Sequence, residues 1–247
     1  MTLLHAYPQL IPGTLVRRYK RFLADVALDG GPTVTAFCPN SGSMLGLNAP
    51  GLPVMLSAST DPARKTAHTL ELVRASMGPR ASWVGVNTHL TNTLAAAIAD
   101  AGLLDPPLGI LRVERREVAV GRSRLDLLLS AADGTRMLAE VKSVTLRMGT
   151  DARFPDAVTA RGAKHLEDLR AIALDPARFG VTGAAMVFVI QRADCRAFSP
   201  ADQIDPAYAR ALAHAADAGV HIQAHAVRVT PRGVSYKGPV PWSLARG

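Results

Sequence analysis

The chain has 247 residues, enough for one large or two small domains with a full core, and at 48% hydrophobic and 19% charged residues its composition is that of a globular protein. The longest apolar run, residues 184–190, is far shorter than a bilayer span, the start M-T-L-L-H-A-Y-P lacks the build of a secretory signal, and Cys38 and Cys195 are single and far apart; membrane insertion, secretion, a disulfide framework and a zinc knuckle are all disfavoured, and a cytoplasmic location is expected. The net charge of +8 favours a polyanionic partner. It is spread along the chain, with eight basic and four acidic residues through Thr88 and 20 and 16 beyond it, so each part carries +4. Only five of the 28 basic residues are Lys; Arg donates bidentately to phosphate, although heavy Arg and Ala usage reflects genome composition equally well.

Residues 15–28 and 33–38 read as strands around the turn Asp29-Gly30-Gly31-Pro32, and 53–57, 69–75 and 83–87 read as three more. Five short strands in under 90 residues predict a small OB-like β-barrel over residues 1–88. Within Arg17-Arg18-Tyr19-Lys20-Arg21, strand alternation places Arg17, Tyr19 and Arg21 on one face. Cations around an aromatic ring suit a nucleic-acid platform, and a charged edge strand is the competing reading. The loop Cys38-Pro39-Asn40-Ser41-Gly42-Ser43-Met44 and the cluster Arg64-Lys65-Thr66 are further candidates for holding phosphate.

A helix is expected over 92–104, stopped by Asp105-Pro106-Pro107-Leu108-Gly109, then a strand over 110–120 in which Glu114 and Glu117 fall on opposite faces. Next comes S-R-L-D-L-L-L-S-A-A-D-G-T-R-M-L-A-E-V-K-S-V-T-L, residues 123–146, with apolar runs on both sides of Asp133-Gly134, the most compact hairpin signal in the chain. A three-residue loop Ala132-Asp133-Gly134 pairs Asp126 with Glu140 and leaves Lys142 on the same face; a two-residue Asp-Gly turn pairs Asp126 with Val141 instead. Two carboxylates facing each other in an apolar strand pair are costly, and a divalent cation held by their oxygens offsets that cost. A surface ion triad is the bland alternative. Beyond lie a helix over 155–174 carrying Arg161, Lys164 and His165, a buried strand over 184–191, a helix over 206–218 and a strand over 220–229. The order from residue 92 is αβββαβ followed by αβ, and the expected domains are 1–88 and 89–247. His89, His165, His221 and His225 lack nearby Cys or acidic ligands in sequence and read as satisfied or exposed histidines. No Gly-rich phosphate loop, nucleophile elbow, helix-turn-helix or RRM signature appears.

That element order, with Asp in the second strand and E-x-K in the third, resembles the PD-(D/E)xK nuclease core. The chain as a whole is more closely similar to the sugar fermentation stimulation protein A family, through Leu15-Val16-Arg17-Arg18-Tyr19-Lys20-Arg21-Phe22-Leu23-Ala24-Asp25-Val26, Cys38-Pro39-Asn40-Ser41-Gly42-Ser43-Met44, Ser123-Arg124-Leu125-Asp126, Glu140-Val141-Lys142-Ser143-Val144-Thr145-Leu146, Phe154-Pro155-Asp156-Ala157-Val158-Thr159 with Arg161-Gly162, and Lys164-His165-Leu166. The resemblance implies a fold of class α/β (α+β), a small OB-like barrel followed by a nuclease-like αβββαβ domain. It also implies sequence-nonspecific DNA binding and a role in sugar, particularly maltose, metabolism. Carried over by position, Asp126 and Glu140 hold Mg²⁺ or Mn²⁺, Lys142 orients or activates water, and Glu117 is the candidate third carboxylate. Leu125 stands where the broader nuclease pattern has Pro, and Asp156 is expected to cap a helix or line the site.

Metal-assisted phosphodiester hydrolysis is the leading expectation, with Arg17, Arg18, Tyr19, Lys20, Arg21, Arg64, Lys65, Arg124, Arg161, Lys164 and Gln191 as nucleic-acid contacts. A non-enzymatic DNA-binding regulator on a nuclease scaffold is the alternative, and an RNA-directed role is a third.

Overall fold

A short strand β1 (Leu3–Ala6) opens the chain, and the run expected as one strand over 15–28 is two: β2 (Ile11–Tyr19) and β3 (Leu23–Leu28). The break falls at Lys20 and Arg21, whose backbones are both left-handed, with φ of 46° and 64°. Non-glycine residues adopt such angles at a cost and only where surrounding contacts fix them. Here the Arg18 guanidinium donates to the Arg21 carbonyl at 2.7 Å and clasps the turn. The strand alternation that would align Arg21 with Arg17 and Tyr19 therefore does not hold.

Antiparallel pairing joins β2 to β3, β3 to β4 (Thr33–Phe37), β2 to β5 (Pro53–Ala58), and β5 to β6 (His68–Arg74); a parallel pairing of β4 with β6 closes the five strands into an OB-like barrel. Leu15, Val26, Ala36, Leu56 and Leu70 fill its interior. Gly13 is required where β2 crosses β3, because a Cβ there would lie 2.7 Å from the Ala27 carbonyl oxygen. β7 (Trp83–Gly85) pairs antiparallel with β6, outside the five strands that close the barrel, and a 3₁₀ turn, Thr88–Leu90, follows.

The structure is a computed structural model that describes residues 1–75, 81–104, 111–121 and 123–244. Two compact units divide the chain: residues 1–90, 191–194 and 227–237 form one, and 91–190, 195–226 and 238–247 the other. The second begins with α1 (Thr91–Asp100), which ends four residues earlier than expected, and continues through β8 (Arg112–Val120), β9 (Ser123–Ser130) and β10 (Arg136–Val144). The stop at residues 105–109 and the strand start at Ile110 lie outside the described residues. Two short strands the sequence did not suggest, β11 (Leu146–Met148) and β12 (Asp151–Phe154), precede α2 (Ala160–Leu174). That helix starts five residues later than expected and is capped by Thr159, whose side chain accepts from the Gly162 amide, so Asp156 is not its cap. Then come β13 (Gly183–Ile190), β14 (Ala197–Pro200), α3 (Pro206–Asp217), β15 (His221–Thr230) and β16 (Gly233–Pro239). β16 pairs with β1.

In the second unit β8, β9 and β10 pair antiparallel, while β10, β13 and β15 run parallel. This is the αβββαβ order expected from the sequence, with β11 and β12 added before α2. β13 is buried along its whole length, as its wholly apolar sequence demands of a strand covered on both faces. α2 packs on this sheet through Leu166 and Leu169, against Leu138, Met186 and Phe188. Gly162 lets α2 approach α3 closely: a Cβ there would meet Tyr208 at 3.1 Å and its own cap, Thr159, at 2.8 Å. Asp205, buried, ties the two helix starts together by accepting from the Thr159 amide at 2.8 Å and the Tyr208 amide at 2.9 Å. None of the described helices is long and apolar enough to cross a membrane.

His225 lies fully buried on β15 with Nε2 2.9 Å from Gln223 Oε1, and burial lowers its pKa to about 4. The unfolded chain takes up this proton near pH 6.5 and the folded one only near 4, so stability is complete above pH 6.5 and falls as the pH drops through that window, by about 3 kcal/mol. Urea denaturation at pH 7 and pH 5 is expected to show a drop in the wild-type midpoint that His225→Gln reduces, whatever that variant's stability at pH 7.

Candidate metal centre and cationic cleft

The hairpin of β9 and β10 turns through Ala132-Asp133-Gly134: the Ala131 amide donates to the Thr135 carbonyl at 2.9 Å, and Gly134 takes φ 91°. The ladder pairs Arg136 with Ser130 and runs to Ala139 with Leu127. Continued one step, that register sets Glu140 across from Asp126, the pairing a three-residue loop predicts. At that step the backbone ladder stops. The Val141 amide donates to Asp126 Oδ2 at 2.8 Å, and Asn92, at the start of α1, donates through Nδ2 to Oδ1 at 2.7 Å. Both oxygens of Asp126 are thus oriented by fixed donors.

Burial, reinforced by the Glu140 charge, raises the Asp126 pKa to about 6 against the opposing pull of the Val141 and Asn92 hydrogen bonds. Glu140 is only 3% exposed. Burial pushes its pKa up, but the hydrogen bond from His165 and the ammonium of Lys142 outweigh that and hold it below the usual carboxylate value. Lys142 Nζ lies 2.5 Å from Glu140 Oε1, which His165 Nδ1 also contacts. The other oxygen, Oε2, is buried with no hydrogen-bond partner. The Tyr208 phenol, fully buried and also without a partner, has its pKa raised by desolvation and then by the charges of Glu140 and Asp205.

A buried carboxylate oxygen without a donor, beside a second carboxylate that its neighbour's charge disfavours, fits a hard cation with oxygen ligands. The fit rests on two carboxylates. Among the described residues no three His, Cys, Asp or Glu side chains gather closely enough to hold a metal ion. Glu117, the expected third ligand, sits exposed on β8 with φ 54° and pairs with Arg124 at 3.8 Å. A bulge between Val113 and Arg115 shifts the β8 register, so Glu114 and Glu117 do not occupy opposite faces: Glu114 forks with Arg136 and Glu117 meets Arg124, and both arginines project from the Asp126 and Glu140 face.

Arg124, Arg161 and Lys164, separated in sequence, line one cleft of about 430 Å³ together with Ser123 and His165. Its floor is partly neutralised: Lys164 contacts Ser123 Oγ, which donates to Asp168 at 2.5 Å, and Lys164 lies 3.5 Å from the same carboxylate. Arg161 is exposed on the first turn of α2.

The predicted contacts of the barrel separate by role. Arg17 pairs with Asp25 at 2.8 Å and covers the Tyr19 ring at 4.7 Å, while the Tyr19 hydroxyl donates to the same Asp25. Arg18 is committed to backbone carbonyls of Arg21, Asn40, Gly42 and Ser43 and serves as an internal staple. Lys20, Arg21 and Lys65 are exposed, and Arg64 donates to Thr69 Oγ1. Gln191 is buried and packs on Gly85. Sequence reasoning set His165 aside and gave Asn92 only a capping role, and it missed Tyr208. The shared helical face of Arg161, Lys164 and His165 was the available signal.

Comparison with known proteins bears on this arrangement. The model of the SfsA N-terminal OB domain matches residues 16–86, and that of the sugar fermentation stimulation protein RE domain matches residues 89–233. Sugar fermentation stimulation protein homologs from Rhodospirillum centenum and Nitrosococcus oceani are 50% and 47% identical, over 91% and 95% of this chain and 93% and 97% of their own. A solved structure of Pyrococcus furiosus SfsA in complex with Ca²⁺ superimposes with a TM-score of 0.86 at 28% identity, covering 98% of this chain and all of the other.

If Asp126 and Glu140 hold a cation, titrating Mn²⁺ at a hundredfold excess over its Kd should raise the melting temperature by about 5–10 °C. Asp126→Asn and Glu140→Gln should abolish that rise in scanning fluorimetry. Asp126→Asn should change the stability of the metal-free protein little, because removing one of two like charges offsets the loss of one of the two hydrogen bonds its oxygens accept.

Proposed function

Because the chain belongs to the sugar fermentation stimulation protein family, we propose that it binds DNA without sequence preference and hydrolyses phosphodiesters with a divalent cation, in the service of sugar, particularly maltose, metabolism. In this reading residues 1–88 are the nucleic-acid-binding part and 89–247 the nuclease part. One observation carries it: Glu140 Oε2 is buried without a partner beside the oriented carboxylate of Asp126, with an ammonium on the neighbouring oxygen. The Ca²⁺ in the Pyrococcus relative supports a divalent cation as the class of metal. Mg²⁺ or Mn²⁺ is the proposed working ion.

Asp126 and Glu140 would hold the cation, which supplies Lewis-acid polarisation of the scissile phosphate and neutralises charge there. Asn92 and the Val141 amide fix the Asp126 carboxylate, so its lone pairs are set before the ion arrives. Lys142 presents a compact ammonium that donates to the attacking water or to the developing negative charge. His165 holds Glu140 Oε1 and lies 3.5 Å from Lys142 Nζ, restricting both side chains. Arg124, Arg161 and Lys164 in the cleft would steer phosphates towards the centre.

A specific observation favours a second reading, a DNA-binding regulator that keeps the scaffold without turnover. The described residues supply two carboxylates and no third ligand, and one oxygen of Glu140 is already bound internally. Cleavage of single-stranded, duplex and supercoiled DNA with Mg²⁺, Mn²⁺ or EDTA separates the two. The nuclease reading expects metal-dependent cutting that falls about a hundredfold or more in Asp126→Ala, Glu140→Ala and Lys142→Ala. Binding without cutting under every condition, undiminished in the three variants, would establish the regulator instead.

A further inference from the structure

The barrel carries an aromatic surface that the centre described above does not use. Phe22, directly after the left-handed turn, is 40% exposed; its ring centroid lies 6.4 Å from that of Phe37 at the end of β4, and Phe37 lies 6.0 Å from the exposed ring of His89. Interplanar angles of 34° and 49° make this a tilted row of three rings, open at both ends. Exposed phenylalanine has a desolvation incentive to be covered.

Three separate segments build the row, and each is held by backbone. The Phe22 carbonyl accepts from the Cys38 amide at 2.8 Å, next in sequence to Phe37. Arg18 binds the turn carbonyl of Arg21 and, at the same time, the carbonyls of Asn40 and Gly42. Thr88 donates through both its amide and its hydroxyl to the Pro39 carbonyl, and the His89 amide donates to Asn87 Oδ1. The backbone that carries the rings is therefore already ordered. Lys20 and Arg21, both exposed, stand on the turn immediately before Phe22.

A row of rings beside cations is complementary to a chain that alternates flat π-surfaces with negative charges. An apolar protein surface would not need the cations, and duplex DNA hides its base faces inside the stack. We propose that Phe22, Phe37 and His89 form a stacking platform for unpaired bases, with Lys20 and Arg21 tracking the adjoining phosphates, so that the barrel selects single-stranded DNA. The proposal rests on the DNA-binding reading above and adds to it the strandedness and the residues. Tyr19, the aromatic residue singled out in sequence, is not part of the platform, because Arg17 covers its face and Asp25 holds its hydroxyl.

The test measures fluorescence anisotropy of the full-length chain with a fluorescein-labelled single strand, and with the same strand annealed to its complement. Phe22→Ala and His89→Ala are expected to weaken single-strand binding about tenfold each, to leave duplex binding within about twofold, and to leave the salt dependence unchanged. Phe22→Trp should restore the affinity, since it returns a ring. Lys20→Ala with Arg21→Ala should instead flatten the salt dependence on the single strand. Phe37 is half-buried, so Phe37→Leu is checked by circular dichroism before it is counted. Wild-type binding to DNA with both strand forms unaffected in Phe22→Ala and His89→Ala would overturn the platform while leaving the DNA-binding reading intact. Equal losses on single strand and duplex would also overturn it. Failure of the wild type to bind either form would remove the reading and the platform together.

Discussion

Glu140 is the residue whose environment the rest of the α/β unit has to satisfy. An isolated carboxylate at that depth would cost several kcal/mol or shift its pKa until it neutralised. The chain instead brings an ammonium from two residues along the same strand and an imidazole from the helix above. Both interact with one oxygen only. The opposing strand then adds a second carboxylate rather than a donor, and the backbone ladder gives way so that an amide points at that carboxylate instead of at a carbonyl. A structural ion pair would close on itself. This cluster leaves an acceptor open and accumulates negative charge next to it, an arrangement that is favourable once a cation is included.

The position of α2 follows from the same requirement. His165 reaches Glu140 because the helix lies close to the sheet, and the helix lies close to α3 because Gly162 has no side chain to hold Tyr208 away. Thr159 and Asp205 satisfy the amides at the helix starts, so neither helix end depends on solvent for its first hydrogen bonds. The polar face of α2 then delivers Arg161 and Lys164 to the cleft as a geometric consequence of placing His165, since residues three and four apart share a face.

The hairpin was readable because its signal is local: Asp-Gly between apolar runs, with a loop length that fixes the register and hence which side chains oppose. The αβββαβ order and most of the barrel stretches were legible for the same reason, in alternation and turn residues, although 15–28 holds two barrel strands and 83–87 holds β7, which is not one of the five that close the barrel. What escaped the sequence depended on atoms distant along the chain. The left-handed turn at Lys20 and Arg21 carries no Gly or Asn, and its signal lies in the guanidinium of Arg18 and the carbonyls it gathers. The bulge at Glu114 is likewise invisible in a strand pattern, and it moved Glu114 and Glu117 from the faces that simple alternation assigns. Tyr208 sits some seventy residues beyond Glu140, and nothing in α3 marks it as more than core. The strands β1, β11, β12, β14 and β16 are short or irregular in polarity, and tertiary pairing decides them.

The distribution of positive charge follows from these details and narrows what the net charge can mean. Ion pairing does not change the total of +8, but it fixes where charge stays available. Arg17, Arg136 and Arg192 are each matched at short distance to a carboxylate, and Arg18 is spent on carbonyls. Lys20, Arg21 and Lys65 on the barrel, and Arg161 with Arg124 at the cleft, remain exposed. Other exposed cations, Arg112, Arg115, Arg116, Arg210 and Arg228 among them, are scattered over the surface, but Lys20 and Arg21 stand beside aromatic rings in one unit and Arg124 and Arg161 near carboxylates in the other. Contacts made by the rings depend on unstacked bases, whereas those made by the cations of either unit depend on phosphates and on salt. Total charge does not distinguish these places from the rest of the surface; the neighbouring rings in one unit and carboxylates in the other do, and they are the physical basis for the two proposed nucleic-acid surfaces, one in each unit.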